Sequence, residues 1–168
     1  QKHEDQSVRI QAAGYFKKDE AGNPFSVPTI IALKGDASSG ERIFAKNCGS
    51  CHRINSKGSA IGPDLSNIKN KFDRSALVDA IIHPDAGIVF GYEAWTITLK
   101  DGQSIFGFLV ADGPQTVTVK DLTGRNQVIQ TSLIASRKKQ EKSLMPSPDA
   151  LGLGEQDLAD VSEYLMGL

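Results

Sequence analysis

Two cysteines three positions apart, followed at once by a histidine, are the residues best equipped for chemistry: Cys48-Gly49-Ser50-Cys51-His52. C-x-x-C-H is the attachment signature for c-type haem. Two thiols so spaced reach the two vinyl edges of one porphyrin, and the next residue can place a ring nitrogen on its iron. Residues three apart share a helix face, so a helix through the motif would offer Cys48 and Cys51 to a single macrocycle. Phe44 joins the same stripe and is expected to pack against the haem edge or a neighbouring helix. Ser38-Ser39-Gly40-Glu41 fits a capping box that starts this helix, with Ser38 as N-cap and Glu41 reaching back.

Competing chemistries fit these residues less well. A thioredoxin-like pair sits at a helix N-terminus after a strand, whereas a helical pattern precedes Cys48 and no βαβ unit surrounds it. A zinc site needs four ligands, and the only other histidines are His3 and His83. A disulfide framework needs more cysteines than these two.

A haem iron in an electron carrier takes a second axial ligand, and methionine raises its reduction potential relative to histidine. Met145 stands in Ser143-Leu144-Met145-Pro146, where the proline biases it towards extended backbone and suits a thioether presented from a loop. Met166 lies at the edge of the apolar face formed by Leu158, Val161, Leu165 and Leu168, a position for packing filler. His83 ends a helix just before Pro84, where a histidine more often partners the helix dipole. Met145 is therefore the expected ligand, with a bis-histidine iron through His83 as the rival.

The elements that must position these residues follow from periodicity. Asp73 to Ile82 reads as a helix ended by Pro84, and Glu155 to Gly167 as another. Between them the period changes to alternation. Tyr92 to Leu99, Ser104 to Ala111, Thr116 to Leu122 and Asn126 to Thr131 read as strands, with Leu133-Ile134 leading into a fifth. Asp101-Gly102, Asp112-Gly113-Pro114 and Thr123-Gly124-Arg125 supply the turns. Strands this short need closure or a covering helix, and the pattern resembles a small SH3-like or Sm-like barrel. The expected architecture is a mainly α domain over 35–168, interrupted by a β insertion at 88–137. Gly22-Asn23-Pro24 and Val27-Pro28 read as turn or linker, making 1–34 an N-terminal extension.

Gly35-Asp36-Ala37, Gly40, Phe44 and the C-x-x-C-H together resemble the opening of class I cytochromes c, and Gly62-Pro63-Asp64-Leu65 resembles that family's Gly-Pro-x-Leu segment. The resemblance implies that the Pro63 carbonyl accepts the second ring N–H of His52 and orients it. It also implies a distal methionine from a loop before the last helix, as Met145 is. The β insertion and the Ser-Leu-Met-Pro loop narrow the likeness to a bacterial haem-binding domain family, typical of planctomycetes and verrucomicrobia, found at the C-terminus of large secreted dehydrogenase-like proteins. His83 departs from the acidic residue common before the proline in that family.

The expected function is one-electron transfer by one covalent haem c, without catalysis, to a redox partner protein such as a dehydrogenase. Arg137-Lys138-Lys139 and Lys142 would steer an acidic partner, or form an ordinary solvated face. Two other functions compete: a haem enzyme or gas sensor with a displaceable distal ligand, and an interaction module whose β insertion docks a dehydrogenase. Lys plus Arg number 19 against 20 Asp plus Glu, so the basic excess of a nucleic-acid binder is missing. No apolar run is long enough to span a membrane. Covalent haem attachment places the chain in the periplasm or outside the cell.

Overall fold

The computed structural model describes residues 23–168, and its chain divides into two compact units. One comprises the described residues up to Gly87 together with Met145–Leu168; the other is Ile88–Leu144. The part of the expected N-terminal extension at 1–22 lies outside the described residues.

The first unit is helical. Helix α1, Val27–Ala32, opens with Pro28 in its first turn, where a missing N–H costs nothing. The Val27-Pro28 signal read as linker thus starts a helix. Ile30 on α1 is fully buried among Val78, Ile82, Leu158 and Ala159, so residues 23–34 contribute to this unit's core. Helix α2, Ala37–Ile43, is capped by Asp36, whose carboxylate accepts from Ser39 N at 2.7 Å and from Ser38 Oγ at 2.7 Å. The expected box with Ser38 as cap and Glu41 reaching back is therefore displaced. Asp36 has the extended backbone that an N-cap needs, and its carboxylate reaches the third residue beyond it. Helix α3, Arg74–Ile82, starts at Asp73, which accepts from Ala76 N at 2.8 Å. Helix α4, Glu155–Met166, returns the chain, with Asp157 Oδ2 accepting from Gly154 N at 2.8 Å.

Helices α2 and α4 cross at Gly40, where an added Cβ would lie 2.1 Å from the Asp160 carbonyl oxygen. Phe44, Ile54, Ile68, Phe72, Leu77, Val161 and Leu165 fill the core on one side of this crossing. Arg74 ties three parts of the unit together, reaching Ser162 Oγ at 3.1 Å and the Leu33 carbonyl at 3.2 Å. A small hairpin, β1 (Arg53–Ile54) with β2 (Lys57–Gly58), follows the cysteine motif.

The second unit is an antiparallel sheet of five strands. These are β3 (Ala94–Leu99), β4 (Ser104–Asp112), β5 (Thr116–Lys120), β6 (Asn126–Gln130) and β7 (Ile134–Lys139). Their order is β6-β5-β4-β3-β7. Gly102 takes φ +89° in the β3–β4 turn, as an Asp-Gly hairpin requires. Ile97, Val117, Val119 and Ile129 form its buried core. A closed barrel was expected, but the edge strands β6 and β7 do not pair with each other, so the sheet is open. One 3-10 turn, Thr131–Leu133, joins them and sends β7 to the far edge, beside β3. That last strand runs on to Lys139, past residue 137.

Candidate haem-attachment site

The cysteine motif does not continue helix α2. The chain widens at Phe44–Cys48 into a π turn, closed by the 2.8 Å bond from Gly49 N to the Phe44 carbonyl. The Cys48 carbonyl then accepts from both Cys51 N at 3.0 Å and His52 N at 2.9 Å. The shared helix face expected for the two cysteines is thereby replaced by a turn wrapped around one carbonyl. A π turn of this kind is frequent at functional sites. Phe44 anchors it from below, buried against Tyr164 of α4 with ring centroids 5.9 Å apart.

Both cysteines are free thiols, Cys48 half-buried and Cys51 exposed. Burial pushes the Cys48 pKa up to about 11, with the neighbouring Cys51 charge adding to it. Cys48 therefore stays protonated at neutral pH.

His52 is fixed by the loop that follows it. Its Nδ1 lies 2.8 Å from the Pro63 carbonyl oxygen. A carbonyl only accepts, so Nδ1 carries the proton and Nε2 is left with a lone pair for a metal. Burial holds the His52 pKa below its ordinary value, against the opposing pull of the Pro63 bond. The imidazole is thus neutral at pH 7, the state that coordinates. Gly62 makes this approach possible: a Cβ there would lie 3.0 Å from His52 Cε1 and 3.1 Å from Nδ1.

The loop is laced to the motif at several points. Gly62 N donates to the Cys51 carbonyl at 2.7 Å, Ser59 N to Gly49 at 3.0 Å, and Leu65 N to Arg53 at 2.9 Å. Asp64 accepts from Ser66 N at 2.9 Å, from Ser66 Oγ and from Arg53 Nε at 2.9 Å. The Ser66 hydroxyl, then the Ser66 N–H and the Arg53 guanidinium, hold the Asp64 pKa down at about 2. Gly58 takes φ +92°, and a Cβ on it would lie 2.3 Å from the His52 carbonyl oxygen. The sequence reading passed over Gly58. Its signal was Asn55-Ser56, both in the left-handed region, which marks the tight turn of the hairpin.

The other candidates are placed as follows. Met145 is half-buried and is the first residue of the segment that returns to the unit containing His52. Met166 packs against the core around Phe44 and Leu165. His83 caps α3, with its N–H on the Asp79 carbonyl and its Nδ1 3.0 Å from Asp79 Oδ1. Among the described residues no three or more His, Cys, Asp or Glu side chains are grouped so as to hold a metal ion. Of the basic run, Arg137 pairs with Asp112 at 2.7 Å and Lys139 with Glu93 at 3.0 Å.

The donor set fits haem c. Two unpaired thiols, a neutral histidine with one nitrogen committed to a carbonyl, and a glycine that clears the face of its ring are what covalent attachment and axial ligation ask of a protein.

A family model described as cytochrome c matches residues 37–96. A cytochrome c-553-like protein from Synechocystis sp. is 38% identical over 56 residues, which cover 33% of this chain and 52% of that protein. The chain thus spans about half the length of the curated relative it matches. The matched residues 37–96 hold Cys48, Cys51, His52 and Pro63, and the cofactor that a cytochrome c domain implies is covalent haem c with its iron. No helix among the described residues is long and apolar enough to cross a membrane.

Proposed function

We propose that this cytochrome c domain makes the chain a one-electron carrier, holding one haem c through Cys48 and Cys51 with His52 and Met145 as its axial ligands. The observation that carries the proposal is the 2.8 Å bond between His52 Nδ1 and the Pro63 carbonyl, directly after the two thiols. When bound, haem c supplies an iron(III)/iron(II) couple. The residues do the rest. Cys48 and Cys51 would fix the group covalently, the Pro63 carbonyl would raise the basicity of His52 Nε2, and the Met145 thioether would be the second ligand to iron. Two side-chain ligands would leave the iron no open position for substrate, which favours a carrier over a catalyst.

Covalent attachment supports a periplasmic or extracellular location, and a redox partner that is itself a protein, a dehydrogenase in the family this chain resembles. The Ser143-Leu144-Met145-Pro146 loop and the inserted sheet support the bacterial haem-binding domain family as the nearer kin. The strand order, with a 3-10 turn before the last strand, favours an SH3-like arrangement of that sheet. The deciding experiment is a pyridine haemochrome assay on protein made with haem-ligation machinery, followed by the red absorption band of methionine–iron(III) coordination in the native chain and in Met145→Ala. One haem per chain, and a band that the substitution abolishes, are expected. Rapid and complete carbon monoxide binding by the native reduced protein would overturn the carrier reading in favour of a displaceable ligand.

A further inference from the structure

The chain enters and leaves the β unit through one hydrogen-bonded node, built on Glu93. On the entry side Glu93 Oε2 accepts from Gly91 N at 2.8 Å. Gly91 takes φ +83°, in a turn closed by Tyr92 N on the Val89 carbonyl at 2.9 Å. On the exit side Glu93 Oε1 accepts from Lys139 Nζ at 3.0 Å. The next residue, Gln140, donates its N–H to Ala94 O at 2.8 Å and its side-chain amide to Thr96 Oγ1 at 3.0 Å. The Glu93 side chain is only 16% exposed. Burial by itself would raise its pKa, yet the Lys139 and Gly91 hydrogen bonds hold it below the ordinary value. The carboxylate is therefore charged and engaged at both oxygens.

Beyond Gln140 the chain has a short tether. Five residue steps lead to Met145, a reach of at most ~18 Å, and Met145 is where the first unit resumes. We infer that the Glu93 node is a positioning device for the distal methionine: by pinning the exit of the β unit to its entry, it limits where the Met145 loop can go. Glu93 and Lys139 act through Met145, not on the cofactor. The inference rests on the reading of Met145 as the distal ligand, and it gives the inserted sheet a task in tuning that ligand. Because ion pairing supplies part of the node, its hold on the loop weakens as salt rises.

The test uses the full haem-loaded chain. Glu93→Ala removes both acceptors, and Lys139→Met breaks the node from its exposed end, so a folding failure in one variant leaves the other informative. Each is expected to weaken the methionine–iron absorption band and to speed carbon monoxide binding to the reduced protein by about fivefold, the scale of one such contact. A readout independent of the cofactor is amide exchange at Gly91 in protein prepared without haem, which should quicken in Glu93→Ala. Faster exchange at Gly91 with an unaltered band and an unaltered carbon monoxide rate in both variants would overturn the inference, as would unchanged exchange. Met145→Ala separates this from the underlying reading: if it leaves the band intact, Met145 is not the ligand and both fail, whereas loss of the band alongside silent node variants sinks the node alone.

Discussion

At His52 the limiting quantity is space. Gly62 and Gly58 approach the histidine from its ring side and its carbonyl side, and each has room for a hydrogen only. Gly62→Ala forces the imidazole to give by a few tenths of an ångström, which lengthens its bond to Pro63 and is expected to cost about 1–2 kcal/mol. Guanidinium unfolding of the haem-loaded protein would measure it. Gly58→Ala is the harsher change, since it adds a positive φ to a backbone clash, and about 3 kcal/mol or more is expected. Asp64 adds a pH dependence. Its pKa is held at about 2 in the folded chain, against an ordinary value of 3.8. The stability it contributes is present above that unfolded value and lost as pH falls through the folded one. Acid titration between about pH 4 and pH 2 should therefore destabilise the native chain more than Asp64→Asn. The cysteine motif was legible in the sequence because five adjacent residues carry it, and the Pro63 partnership was legible only through the resemblance to class I cytochromes c. Gly58 was not, since its importance depends on a hairpin that folds it back onto the His52 carbonyl.

Among the elements, helices α2 and α4 matter most to the site, because one leads into the cysteines and the other supports Phe44. Their crossing depends on Gly40. Gly40→Ala would drive a methyl into the Asp160 backbone and is expected to cost about 3 kcal/mol, the upper range for overpacking. The effect should appear as a lower Tm with α-helical content unchanged below the transition. Asp73→Ala removes the bond to Ala76 N at the start of α3, and a loss of about 1 kcal/mol is expected. Periodicity gave α3, α4 and strands β3 to β6 to within a residue or two. It missed α1, whose proline imitates a linker, and the π turn, which no residue type announces. Barrel closure was not legible either: which edges pair depends on where one 3-10 turn sends β7, a long-range outcome.

Among the described residues the buried apolar side chains form three clusters, two in the helical unit and one in the sheet, and the sheet's cluster shares no residue with the other two. Trp95, the only tryptophan, packs against the core of the sheet and so reports on the β unit alone. Ile97 is fully buried there. Ile97→Ala should destabilise that unit by about 3 kcal/mol. The near-UV signal of Trp95 would then melt earlier, while the far-UV helical signal keeps its midpoint. A single shifted transition in both signals would argue that the two units unfold together.

The bond from Asp36 N to Asp160 Oδ1 at 2.9 Å joins residues 124 positions apart, and this separation has a consequence for how the chain is made. A ribosome or a translocation pore delivers Cys48, Cys51 and His52 long before α4, so the attachment motif emerges without the helix that later supports it. The β unit emerges in between, and its strands pair only with one another. Once folded, it removes about half of the slack that must be closed when α4 arrives, a saving of only ~0.6 kcal/mol in loop entropy. The inserted sheet thus changes the sequence of events far more than their energetics. It leaves an interval during synthesis in which the two thiols are accessible and the last helix has yet to lock the site.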